Sequence, residues 1–284
     1  MEFRILGSLE VVHHGRALDL GTPQRRALLA MLLLQANQVV AVDVLAEGLW
    51  ANDPPADPNA ALQVQVSRLR KVLAGASEDE PSLITRHKPG YAMCIGADDL
   101  DAWRFERLMG DVTGALSGGR PAVASQMLAA ALGLWRGPAL ADFAYAGFAQ
   151  AEIARLSELR LGAIEALMEA RLELGAHRDL VAELEGLVAA HPLRERFWEQ
   201  RMLALYRCGR QAEALRAYQE VRRLLGDELG IEPSPELTQL EKAILLHQPE
   251  LDWSPAPLAV GHNHLRSARS PAQPAPLRHR DNLP

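Results

Sequence analysis

The stretch that decides the fold is Asn59-Ala60-Ala61-Leu62-Gln63-Val64-Gln65-Val66-Ser67-Arg68-Leu69-Arg70-Lys71-Val72-Leu73. Placed at 100° per residue, Leu62, Val66, Leu69 and Leu73 fall in one narrow stripe, which predicts an amphipathic helix with one face against a core. The opposite side carries Val64, Ser67, Arg68 and Lys71, with Gln63 and Arg70 on its flank. No acidic residue occurs from Asn59 to Ser77, an absence that a merely solvated face does not require.

Upstream, Phe3, Ile5, Leu9, Val11, Leu18 and Leu20 alternate with polar or small residues around a His14-Gly15-Arg16 turn, and residues 1–21 read as strands. A helix over Gln24–Leu34 follows, with Thr22 expected as its N-cap and Pro23 at its first position. Gln38–Ala41 reads as a short β-branched strand and Val42–Trp50 as a second helix. Three prolines make Asn52–Pro58 a loop. Downstream, Glu78-Asp79-Glu80 breaks the pattern, and Leu83–Ile95, interrupted by Lys88-Pro89-Gly90, reads as a β-hairpin. Strands, three helices and a hairpin make an α+β winged helix-turn-helix with an N-terminal sheet, expected over residues 1–97.

From Asp98 onward the sequence reads as all-helical, with helices near 101–116, 122–135, 148–174, 177–190, 194–208, 210–225 and 235–247, so the fold class is mainly α. Gly175 and Gly209 are 34 residues apart, and at that offset Met168 matches Met202, Ala170 matches Ala204 and Leu187 matches Val221. Thirty-four residues is the tetratricopeptide period, so 98–250 is expected to be a tetratricopeptide-like domain. The segment 251–284 is rich in proline and poor in apolar periodicity, and is expected to be disordered.

The whole chain of 284 residues carries a formal net charge of −6, which taken alone argues against nucleic acid. Divided, the charge is −3 over residues 1–57, +2 over 58–97, −7 over 98–251 and +2 over 252–284, so ahead of the proline-rich segment the positive part coincides with the helix and hairpin above. Two cysteines, Cys94 and Cys208, make no disulfide framework, and neither has metal-ligating neighbours at usable spacing. The pairs His13-His14 and His262-Asn263-His264 lack further ligands. There is no signal-peptide pattern, no apolar run of membrane-spanning length, no Gly-x-Ser-x-Gly elbow, no His-Glu-x-x-His and no phosphate loop. The reading is a cytoplasmic, non-enzymatic protein without cofactor, metal or membrane partner.

The block Asn59–Leu73 followed by Lys88-Pro89-Gly90-Tyr91 resembles the recognition helix and wing of the Streptomyces antibiotic regulatory protein (SARP) family. The second half resembles that family's bacterial transcriptional activation domain. The matching stretches are His191-Pro192-Leu193-Arg194-Glu195-Arg196, then Leu205–Leu215 with its Gly209-Arg210-Gln211-Ala212-Glu213 core, then Asp227–Leu237 with Gly230-Ile231-Glu232-Pro233-Ser234-Pro235. The resemblance covers residues 1 to about 250 and fits the small, two-domain members. It implies an OmpR-type winged helix that binds direct repeats in double-stranded promoter DNA of antibiotic-biosynthesis genes and helps recruit RNA polymerase holoenzyme.

A recognition helix lies in the major groove with its polar side on base edges and phosphates. Gln63 has the amide for adenine N6/N7, Arg68 the fork for guanine O6/N7, Ser67 a hydroxyl for base or phosphate, and Val64 a methyl surface for thymine. Asn59 opens this face, Arg70 and Lys71 are expected on phosphates, and Arg86, His87 and Lys88 put positive charge at the wing tip. Trp50 and Tyr91 are expected in the core rather than stacked on bases. The Asn52–Pro58 loop is either a polymerase-facing loop or a plain connector. The helical half suits self-association on DNA, polymerase contact or, with no pocket legible in the sequence, small-molecule sensing. The alternatives to an activator are a protein-interaction scaffold and a ligand-gated repressor.

Overall fold

Alternation in the first residues produces three short antiparallel strands in the order β1 (Glu2–Arg4), β2 (Glu10–His13), β3 (Arg16–Ala17), with Phe3 opposite Val11. The structure, a computed structural model, describes residues 1–50, 53–74 and 82–254. The expected disordered tail from residue 255 on, Asn52 of the proline loop and the acidic Glu78-Asp79-Glu80 lie outside the described residues.

Helix α1 (Pro23–Leu34) buries Leu28 through Leu33 without interruption, so it is a central core helix rather than an amphipathic surface one. Thr22 precedes it, but the Thr22 hydroxyl accepts no capping hydrogen bond. Its backbone carbonyl accepts instead from Arg25 and Arg26 N–H, at 3.0 and 3.1 Å. Pro23 brings no N–H of its own, and this exposed end leaves the remaining donors to water. Strand β4 (Val39–Ala41), α2 (Val42–Trp50) and α3 (Pro58–Ala74) follow, then the hairpin of β5 (Ile84–Arg86) and β6 (Gly90–Met93). The second sheet has the order β4-β6-β5, antiparallel throughout. Gly90 faces Ala41 across it, and a Cβ there would stand 2.6 Å from the Val40 carbonyl carbon and 2.9 Å from the Ala41 Cα. Only glycine lets β6 approach β4 this closely. Tyr91 is buried beneath the hairpin and Trp50 is half-buried at the end of α2.

The second half comprises α4 (Asp101–Ser117), α5 (Pro121–Leu132), α6 (Gln150–Glu173), α7 (His177–Ala190), α8 (Glu195–Arg207), α9 (Gln211–Leu229) and α10 (Pro235–Leu245). Gly175 and Gly209, the repeat glycines, close the α6–α7 and α8–α9 turns at φ +84° and +74°. These left-handed positions are cheap only for glycine, which is why the repeat carries it there. Helix α9 runs past the expected end at 225 to Leu229, where Gly230 caps it at φ +69°. Helix α5 ends at Leu132, short of the expected 135, and residues 133–149 hold only two 3-10 turns, Ala141–Phe143 and Gly147–Ala149.

That irregular segment has a long-range purpose. Arg136 N–H donates to the Leu6 carbonyl at 2.8 Å, Leu140 N–H to Ile5 at 2.8 Å and Ala141 N–H to Gly7 at 3.2 Å. From the first turn of α4, the buried Asp101 carboxylate accepts Ile5 N–H at 2.8 Å on Oδ1 and Leu6 N–H at 3.1 Å on Oδ2. Asp142 accepts Leu9 N–H at 3.2 Å and pairs with Arg26 of α1. The apolar core therefore does not break near residue 97. One cluster runs from Phe3 to Ala163, and a second, from Met168 to Ile244, lies within the paired helices, with the 24-residue α6 shared between them.

Candidate nucleic-acid interface

Helix α3 starts one residue before the expected Asn59 because the Asp57 carboxylate accepts Ala60 N–H at 2.9 Å, a side-chain cap. Leu62, Val66, Leu69 and Leu73 are all buried against the winged-helix core. Each such burial contributes roughly 1.5–3 kcal/mol, enough to fix which face the helix turns outward. On the outward face Asn59, Gln63, Val64, Ser67, Arg68 and Lys71 are exposed. Val64 is 46% exposed, a methyl-bearing surface on the outward face.

Arg70 differs from its neighbours. It is half-buried, and its Nε donates to the Ile84 carbonyl of β5 at 3.0 Å. It ties the outward helix to the hairpin, leaving its terminal nitrogens for other partners. This tie was missed, although its position four residues after Val66 places Arg70 at the edge of the buried stripe.

In the hairpin, Arg86, His87 and Lys88 are all exposed. His87 N–H donates to the Gly90 carbonyl at 2.8 Å and closes the tip, while its ring Nε2 lies 2.9 Å from the Thr85 hydroxyl. Buried Tyr91 and Met93 hold β6 to the core, so the tip projects from a fixed base.

In the helical half many arginines sit in ion pairs, among them Arg155 with Glu106 and Glu152, Arg196 with Glu169 and Glu199, Arg201 with Glu185 and Glu220, and Arg222 with Glu232, while others such as Arg178, Arg216 and Arg223 have none among the described residues. The Glu152 and Glu106 carboxylates raise the Arg155 pKa further, so that pair stays charged. Among the described residues no ion pair engages Arg68, Arg70, Lys71, Arg86 or Lys88. A helix face and a hairpin tip, both cationic and both anchored to one core, can present donors to a polyanion.

Among the described residues no cluster of three or more His, Cys, Asp or Glu side chains is placed to hold a metal ion, and no helix is long and apolar enough to cross a membrane. Cys94 is exposed and Cys208 half-buried, both as free thiols.

Fold and surface together define a winged-helix transcriptional regulator. Residues 15–93 match the family described as transcriptional regulatory protein, C terminal, and residues 100–245 match the bacterial transcriptional activator domain. Regulatory protein DnrI of Streptomyces peucetius is 38% identical over 257 residues, 89% of this chain and 94% of that protein. Regulatory protein AfsR of Streptomyces coelicolor is 40% identical over 274 residues; they are 96% of this chain but only 27% of that relative. The solved structure of Mycobacterium tuberculosis EmbR in complex with a low affinity phosphopeptide superposes with a TM-score of 0.83 at 39% identity, covering 87% of this chain and 65% of that one. The chain belongs to the Streptomyces antibiotic regulatory protein family of transcriptional regulators.

Proposed function

We propose that the protein is a sequence-specific DNA-binding activator of a secondary-metabolite pathway, acting in the cytoplasm without enzymatic activity. Residues 1–97 read the DNA: α3 enters the major groove, with Gln63, Val64, Ser67 and Arg68 toward base edges and Asn59, Arg70 and Lys71 toward the backbone. Arg86, His87 and Lys88 of the wing reach adjacent phosphates or the minor groove. Residues 98–250 carry the contacts to RNA polymerase and to a second copy on a neighbouring repeat. The observation that carries this reading is the acid-free outward face of α3 standing beside a cationic wing on one core.

With about four phosphate contacts per copy, single-copy affinity is modest and falls steeply with salt, and side-by-side copies on direct repeats supply the rest. Footprinting with the purified chain on its own promoter region is expected to show direct repeats spaced near whole helical turns. Protection of inverted repeats alone contradicts that arrangement. In a reconstituted transcription assay the protein is expected to raise transcript from that promoter, and a drop contradicts activation.

A further inference from the structure

Thr85 of β5 and His87, one residue beyond its end, are two apart and so project to the same side of the hairpin, where the Thr85 hydroxyl oxygen stands 2.9 Å from His87 Nε2. The same hydroxyl lies 3.4 Å from the Ala92 carbonyl of β6. The main chain of His87 is fixed by its N–H on the Gly90 carbonyl at 2.8 Å. With Nε2 turned to Thr85, Nδ1 is the polar atom that this exposed ring has left for an outside partner. Arg86, His87 and Lys88 line one hollow of about 410 Å³ together with Val42, the first residue of α2. Of the elements around it, β4 carries no charged side chain, β6 brings the buried Tyr91 and, just beyond it, Cys94, α3 brings Arg70 and Lys71, and α2 brings Asp43 and Glu47. Among the described residues no carboxylate forms an ion pair with His87.

We propose that Thr85 positions the His87 ring on a DNA phosphate and lets it take up a proton from solvent there, so that promoter affinity rises as pH falls. Histidine is the side chain whose ordinary charge change falls between pH 5 and 8. An anion set against an imidazole favours its charged form. A hydroxyl both donates and accepts, so Thr85 serves either state of the ring. Against the neutral ring it donates to Nε2, which leaves the ring proton on Nδ1, toward the phosphate. Against the charged ring it accepts from Nε2–H and turns its own O–H to the Ala92 carbonyl. The ring thus gains charge without leaving its place, and a third cation joins Arg86 and Lys88 in the hollow as phosphate arrives. Thr85 is the positioning residue in this scheme and His87 the contact. The inference rests on the DNA-binding reading and adds to it a proton taken up on binding.

The test is the affinity of the full chain for DNA of its own promoter region, followed by fluorescence anisotropy from about pH 8 to about pH 6 at constant salt. The dissociation constant is expected to fall at least ~3-fold over that range for each bound copy, as one proton is taken up. His87→Gln is expected to cut this gain to less than ~1.5-fold, and so is Thr85→Val, which keeps the shape of the side chain and removes the hydroxyl. Thr85→Ser returns the hydroxyl and is expected to restore the gain. A Thr85 that only supports the hairpin would change affinity by the same factor at every pH. A His87→Gln profile parallel to the natural one overturns the proposal, as does a Thr85→Val profile that keeps the natural gain. Salt-dependent binding with a flat pH profile overturns this inference alone, whereas absence of promoter binding at either pH overturns the DNA-binding reading on which it stands.

Discussion

Ile5 N–H donates to Asp101 Oδ1 at 2.8 Å across 96 residues of sequence, and this bond joins the first strand region to the first helix of the activation half. Asp101 is 4% exposed and accepts Leu6 N–H as well, with Arg136 Nη2 at 3.6 Å. Asp101→Ala leaves two backbone donors unpaired in the core. A loss of about 2–6 kcal/mol is expected in denaturant unfolding, at about 1–3 kcal/mol per orphaned group.

The same carboxylate gives a pH signature. Burial pushes its pKa above the ordinary 3.8 and outweighs the Ile5 and Leu6 hydrogen bonds and the Arg136 charge, which act the other way. Between the unfolded and the raised folded value, the native state holds more protons than the unfolded chain. Its contribution is therefore fully present below the unfolded value and is lost as pH rises through the folded one. Stability of the natural sequence minus that of Asp101→Asn is expected to fall as pH rises from about 3.8 and then level off. A difference curve that rises over that window contradicts the assignment.

Gly90→Ala drives a methyl group into the Val40 and Ala41 backbone of the neighbouring strand. Backbone cannot step aside as a flexible side chain can. A loss of about 2–3 kcal/mol or more is expected in thermal or denaturant unfolding, together with weakened promoter binding, because the wing hangs from β6.

Arg70 and Arg68 stand two residues apart and are expected to respond differently. Arg70→Ala removes the bond to Ile84 and is expected to cost about 1 kcal/mol of stability, whereas Arg68→Ala, at an exposed position, stays within about 0.5 kcal/mol. Denaturant midpoints measured on the two variants separate the strut from the surface contact.

The sequence displayed the winged helix well because its determinants are local. The Leu62/Val66/Leu69/Leu73 stripe, the Lys88-Pro89-Gly90 turn and the repeated Gly175 and Gly209 each act within a few residues. The seam between the halves was illegible for the opposite reason. Asp101 acts on the Ile5 and Leu6 N–H groups through its carboxylate, and Arg136 and Leu140 act on the same two residues through backbone groups that every sequence possesses, all from roughly a hundred residues away or more. The helix expected over 122–135 ends at Leu132, and backbone pairing of Arg136 and Leu140 to the first strand region wins over helix propensity beyond it. Exposed polar residues such as Gln63 and Arg68 showed their chemistry in the sequence and their orientation only through the buried stripe opposite.

The central claim is that α3 and the wing bind DNA phosphates and bases. Its most direct test is the salt dependence of promoter affinity for the natural sequence and for Arg68→Ala/Lys71→Ala. The account predicts log affinity falling linearly with log salt, with a slope near −4 for about four phosphate contacts per copy. In the double variant the slope is expected to be shallower by about 1, for the lost Lys71 phosphate contact, with affinity lost at every salt concentration and, from the lost Arg68 base contact, discrimination of the cognate sequence reduced by about 1–3 kcal/mol. Affinity that is independent of salt and unchanged in the double variant contradicts the account.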